Sequence, residues 1–369
     1  MIEKIDKKIV NFFVDKGFKF SEGFPLVRSK NKHSYNFSPI INLLEKYINK
    51  DSNKEVYIQN CYRDIYPQQL YNPFAQTVNR VVSIHSYNEE TTIYELQNLI
   101  IEFLSEMEID LENVYFLVPD LSDFHQHLHR EKNILYLRNN SSRLKCKLPL
   151  YGEHYYYRIL YHYNNGMITL ANFVLVNYKC NGKFSIDSVI YSNRLEMIIN
   201  RDDSVKYNFS KALISQIDLL SKPSQNLILG NMFGIMCFLS ENVGMSSKST
   251  GYIVKKLFKQ ILDELYTNSK LDQSYINLIV AEFRKEYQND FSTAVENYIK
   301  NIVNKKSKYF NNTLLTNKEY LETTMGISKR VIDFWCGNLD DFQNKKSTIA
   351  YHFDIKENTI FDPVADFNH

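Results

Sequence analysis

The stretch ANFVLVNYKCNGKFSIDSVI, residues 171–190, decides the fold class. Its two halves, 171–178 and 183–190, are rich in Val, Ile and aromatic residues, and Asn181-Gly182 stands between them. Asn-Gly takes the positive φ of a tight hairpin turn at little cost, so the halves are predicted to pair antiparallel. Asp187 then lies on the second strand of that hairpin.

Upstream, residues 56–63, VYIQNCYR, alternate: Val56, Ile58 and Tyr62 share one face, and Gln59, Cys61 and Arg63 the other. Residues 78–87, VNRVVSIHSY, read as a second strand after a loop holding Pro67 and Pro73, which predicts a further antiparallel pair. Apolar spacing predicts helices over 2–13, ending near Gly17, and over 91–107. The run YGEHYYYRILYHY (151–163) reads as a strand with alternate rings in the core, because Tyr is a common strand former. Beyond about residue 205 the period lengthens to that of helices. Val254, Leu257, Phe258, Ile261, Leu262 and Leu265 make an apolar stripe, with Lys255, Lys256 and Lys259 outside it. The predicted architecture is α+β: an antiparallel β-sheet flanked by helices over 1–204, an all-α domain over 205–330 and a tail over 331–369.

Forty-four basic residues against 42 acidic ones leave a net charge of +2, so overall charge selects no partner and any nucleic-acid contact must come from a local basic face. Cys61, Cys146, Cys180, Cys237 and Cys336 are scattered and show no CxxC or Cys/His spacing, which argues against a disulfide framework and for a reducing, cytoplasmic setting. His125, His127 and His129 are grouped, but on a helix only two of them at a time share a face and no carboxylate stands at zincin spacing; no metal site is predicted there. The N-terminus alternates charged with apolar residues, unlike a secretion signal. The longest apolar stretches, such as 226–239, carry Gly and Asn and fall short of the ~20 residues that span a bilayer, so no membrane partner is expected.

Four segments carry a resemblance, supported by a fifth. They are FPLVRSKNKHSYNFSPIINLLEKY (24–47), IQNCYRD (58–64), SIDSVIYSNRLEMI (185–198) and LGNMFGIMCFLSENVGMSSKSTGYIVKKLFKQ (229–260), followed by KYFNNTL (308–314). In that order they resemble motif 1, motif 2, motif 3 and the tRNA-binding helices of alanyl-tRNA synthetases, a class II synthetase family. Arg63 matches the motif 2 arginine, Asp187 and Arg194 the motif 3 pair, Asn172 the hairpin asparagine and Gly251, Tyr252, Lys255 and Lys256 the helical segment.

The resemblance implies a class II synthetase fold and ATP-dependent aminoacyl-adenylate formation on alanine or a similarly small amino acid. The acceptor would be a tRNA acceptor stem, a carrier protein thiol or a biosynthetic amine; a homodimer is among the assemblies it allows. Attack of a carboxylate on the ATP α-phosphate builds negative charge on phosphoryl oxygens, and fixed arginines suit that charge because their forks bind two oxygens at once. By resemblance Arg63 holds the α-phosphate and the substrate carboxylate, Arg194 the γ-phosphate end, Asp187 the ammonium, and Asn172 and Gln59 further substrate atoms. Lys255, Lys256 and Lys259 would touch RNA, although lysines on the polar side of an amphipathic helix are usually its solvated face.

Departures from the family bear on activity. Arg158 takes the position of a Glu in the adenylate pocket and His162 that of an Asp, which removes a carboxylate expected to help hold Mg²⁺. DIYPQQ (64–69) replaces a flexible, lysine-bearing loop, and Val189 and Tyr191 replace motif 3 glycines, so side chains are expected to crowd the adenine space. The family's editing and C-terminal domains have no counterpart in these residues, as in a truncated paralog. Two other readings stay open at this point: a catalytically inactive paralog that binds RNA, a nucleotide or a protein, and an unrelated α+β binder.

Overall fold

The computed structural model describes residues 2–27, 53–65, 69–70, 72–87, 93–119, 134–137, 144–146, 152–164, 166–176, 185–202, 206–268 and 273–286, with Pro39 and Leu148. These divide into two compact units that adjoin in sequence at Asn208 and Phe209. The His125, His127 and His129 group, Cys180, Cys336, most of 24–47, the segment 308–314 and the tail lie outside the described residues.

The first unit is mixed α+β. Its strands are β1 (Lys19–Phe20), β2 (Asn53–Tyr62), β3 (Val78–Tyr87), β4 (Val114–Pro119), β5 (Ile134–Leu137), β6 (Lys145–Cys146), β7 (His154–Tyr163), β8 (Gly166–Val176) and β9 (Ser185–Ile190). They form one nine-stranded sheet in the order β1-β2-β3-β9-β8-β7-β4-β5, with β6 beside β7. Among the described residues β1–β2 and β4–β5 run parallel and the other pairs antiparallel. The predicted hairpin is β8–β9, paired from Val176 opposite Ser185 to Ala171 opposite Ile190; the Asn181-Gly182 turn lies outside the described residues. The strand pair foreseen over 56–63 and 78–87 is β2–β3, with Tyr62 opposite Val78.

Period 2 separates the two faces of this sheet. One face is apolar: Val56, Val82, Ile84, Phe116, Tyr157, Ile159, Phe173, Leu175, Ile186 and Ile190 join one core with residues of α1 (Ile2–Asp15) and α2 (Ile93–Glu106). Ile5, Ile9, Phe12 and Phe13 are the buried stripe of α1, and Ile93, Leu96, Ile100, Phe103 and Leu104 that of α2. Tyr155 and Tyr157 enter this core from β7, the alternation expected of the tyrosine run. The ring of Tyr157 stacks on Phe173 at 4.7 Å, and its hydroxyl donates to Gln97 Oε1 at 2.8 Å, so the buried polar atom is satisfied. The helix α3 (Ser192–Ile199) follows β9 directly and adds Leu195 and Ile198 to the same core.

The second unit is helical over α4 (Lys211–Ile217), α5 (Lys222–Ser240), α6 (Ser249–Thr267) and α7 (Gln273–Glu286). Ser210 and Ser221 cap α4 and α5 by accepting from the backbone N–H groups of Leu213 and Ser224. The α6 stripe from Val254 to Leu265 is buried as its spacing predicts. Gly251 has a local reason: a Cβ there would collide with Ser246 and the Gly244 carbonyl, so the turn before α6 closes only over glycine. Buried Glu282 of α7 accepts from the Ser210 backbone N–H at 3.2 Å and pairs with Lys285 at 2.6 Å, which ties α7 to the start of α4.

Candidate functional site

The opposite face of the sheet is polar, and the strand registers place its residues in rows. One row crosses five strands as Tyr57, Ser83, Val189, Asn172 and Arg158. The next runs Glu55, His85, Asp187, Val174 and Tyr156. Neighbouring strands lie about 4.8 Å apart, so Asn172 and Arg158 are direct neighbours and Asp187 is one row away. Arg158 is 2% exposed and Asp187 3%, an unusual depth for charged groups.

Asp187 is held by a residue that sequence reading missed. His85, fully buried on β3 directly opposite it, donates from Nε2 to Asp187 Oδ1 at 2.7 Å. The Tyr57 hydroxyl lies 3.3 Å from both ring nitrogens of His85, with the two rings edge to face at 5.0 Å. The available signal was a His at an alternate position of a strand whose other face is core, with Ser83 and Asn79 on the same side.

Arg63 follows β2 and is tied by its backbone N–H to the Thr77 carbonyl at 2.7 Å. Burial pushes the Cys61 thiol up to about 12, with Arg63 pulling it down and Asp187 adding to the rise, so both charges act on one sulfur. Burial raises the Tyr156 hydroxyl as well, Cys146 adds to this, and Arg63 and Arg158 oppose it. By strand alternation Arg63, Arg158 and Asp187 lie on one face of the sheet, with Arg158 and Asp187 in adjoining rows. Arg63 Nε, Asn172 Oδ1, Asn79 Oδ1 and Ser83 Oγ are buried without a hydrogen-bond partner among the described residues. Each such atom carries a desolvation cost of about 1–3 kcal/mol unless something pairs with it.

The remaining sequence-predicted residues have engagements of their own. Gln59 donates from Nε2 to the Phe24 carbonyl at 2.8 Å and accepts from the Phe24 N–H at 3.0 Å, which clamps the chain after β1 onto β2. Gly23 permits the clamp, since a Cβ there would meet the Ile58 carbonyl. Arg194 of α3 donates to the Thr169 carbonyl at 3.0 Å, and its guanidinium lies 4.2 Å from the centre of the Tyr191 ring. Tyr191 in turn packs with Cys61, Val81 and Val189, so a phenol ring lies against the guanidinium that the resemblance assigns to the γ-phosphate end of ATP. On α6, Lys259 pairs with Asp263 one turn on at 3.0 Å, while Lys255 and Lys256 are half-buried.

No family model matches this chain, and no curated protein sequence matches it. Among solved structures it is similar to apo S. aureus histidyl-tRNA synthetase, with 10% identity and a TM-score of 0.38, over 53% of this chain and 64% of that one. The chain thus spans less than two thirds of that protein's length.

Proposed function

We propose that the first unit is a divergent class II synthetase-like domain whose polar sheet face binds an anionic small molecule, a nucleoside phosphate or an amino acid carboxylate, without forming an adenylate. One observation carries the reading: Arg63, Arg158 and Asn172 share one face, and Arg63 Nε and Asn172 Oδ1 are buried there without a hydrogen-bond partner among the described residues. Guanidinium groups fixed in a low-dielectric setting suit a phosphate or carboxylate, and Asn172 adds a hydrogen bond. Turnover is disfavoured because the Tyr191 ring covers Arg194, and because Asp187 Oδ1 is committed to His85 where an amino acid ammonium would need it.

The Mg²⁺ that the resemblance implies does not fit these residues. A divalent cation takes several oxygen ligands, and the position expected to supply a carboxylate is Arg158. No step is therefore routed through a metal.

The second reading is ATP-dependent amino acid activation, and it is favoured by the shared action of Arg63 and Asp187 on Cys61. Exchange of pyrophosphate into ATP, screened across amino acids, separates the two. The expected result is ATP binding with no exchange. Exchange that depends on one amino acid and vanishes in Arg63→Ala and Arg194→Ala contradicts the first reading and establishes the second.

A further inference from the structure

We infer that His85 sets the charge preference of the polar face: it stands there as an imidazolium whose charge cancels that of Asp187, which lets an anion occupy the neighbouring Asn172 position. The inference rests on the anion-binding function proposed above and adds to it a specificity-determining residue.

The strand registers set His85 between two carboxylates. Glu55 stands directly opposite it on β2 and Asp187 directly opposite on β9, all three on one face. Facing residues on adjacent strands have Cβ atoms about 5 Å apart, so a cationic ring suits this place better than a neutral one. All three residues are buried, and solvent screens their charges little. The contact from His85 Nε2 to Asp187 Oδ1, at 2.7 Å, has the length of a charge-assisted hydrogen bond. The Tyr57 hydroxyl, 3.3 Å from both ring nitrogens, flanks the same ring. Burial by itself works against a charged imidazole, but a neutral one would leave the buried Asp187 carboxylate without a counter-charge from its hydrogen-bond partner.

The position of Asn172 makes this pair matter to a ligand. Val174 faces Asp187 from β8, and Asn172 is two residues from Val174 on the same strand face. Asp187 and Asn172 are therefore diagonal neighbours, roughly 7–8 Å apart. An anion bound at Asn172 would meet the carboxylate at short range in a setting of low dielectric. That repulsion is worth on the order of tenfold or more in affinity unless a cation cancels it. His85 is placed to do so without touching the ligand, because it lies on the far side of Asp187, on β3.

The test is calorimetric titration of the full chain and three variants with ATP, pyrophosphate and acetate, with an unfolding curve recorded for each protein. His85→Gln keeps a side-chain N–H that can donate to Asp187 but carries no charge, and should weaken binding roughly tenfold or more. Asp187→Asn removes the charge that His85 cancels and should bind the same probe at least as tightly as the unaltered chain. In His85→Gln/Asp187→Asn both charges are gone, and affinity should return to within about threefold of the unaltered chain. A residue that only shaped the face would give another pattern, with both single variants weaker and the double variant no better. Binding that His85→Gln leaves unchanged, or that Asp187→Asn weakens, overturns the inference and leaves the anion-binding reading standing; so does a double variant as weak as His85→Gln. Should His85→Gln fail to fold, the Asp187→Asn arm still decides. No binding of any of the three probes to the unaltered chain overturns both.

Discussion

The two faces of the sheet are built from the same strands, yet they obey different rules. On the apolar face the large side chains join one core, and the buried Tyr157 hydroxyl has its acceptor in Gln97. On the polar face, residues buried almost as deeply include Arg158, His85 and Asp187, and several polar atoms lack partners among the described residues. Buried charged groups such as Arg158 and Asp187 are costly to keep for folding alone, and proteins commonly give up stability of this kind at functional sites. The contrast implies that substitutions on the two faces will part company: stability should fall on one side and binding on the other.

The sharpest break in that contrast comes from the core. Phe173→Ala removes a ring stacked on Tyr157 in the middle of the apolar face and should cost about 3–5 kcal/mol, seen as a large fall in the urea midpoint. His85→Ala lies on the polar face but belongs structurally to both worlds, because it leaves the Asp187 carboxylate buried without its donor; the expected loss is about 2–3 kcal/mol. A cost below about 0.5 kcal/mol would mean that Asp187 is reached by water and that the pair is not a buried one.

The second unit supplies a control for pH. Burial raises the Glu282 carboxyl, but hydrogen bonds from Lys285 and Ser210 outweigh it and hold the group below its usual value. A folded-state value below the unfolded one contributes stability that is fully present above the unfolded value and is lost as pH falls through the folded one. Glu282→Gln should therefore narrow the gap between neutral and acid stability, measured by urea unfolding at neutral pH and below the carboxylate range. Smaller still is Asn172→Ala: its Oδ1 has no partner among the described residues to lose, so stability should change by less than about 1 kcal/mol while ligand binding weakens. Smallest is Lys259→Ala on α6, which removes an exposed pair with Asp263 and should cost about 0.3–0.5 kcal/mol.

What could be read in advance follows the range of the physics involved. The β8–β9 hairpin, the alternation of β2, the helices α1 and α2 and the α6 stripe all depend on periodicities within one element, and each appears where that period places it. The contact of Tyr191 with Arg194 is equally local, because the two residues are three positions apart on one chain turn. The His85–Asp187 pair was not, since it depends on β3 lying next to β9, strands separated by some hundred residues. Gln59 illustrates the same limit: its place on the polar face was evident, but not that both ends of its amide are spent on the Phe24 peptide 35 residues upstream. Arg158 stood out only through the resemblance; its depth and its place beside Asn172 come from the β7–β8 register.

The claim beneath this account is that the polar face exists for a ligand and not for folding. The double variant Arg63→Ala/Asn172→Ala tests it most directly when unfolding and ATP titration are measured on the same preparation. The expected result is an unfolding free energy within about 1 kcal/mol of the unaltered chain, together with loss of the ATP heat at concentrations that saturate the latter. A fall of about 3 kcal/mol or more with ATP binding unchanged would contradict it, and would make these residues part of the scaffold.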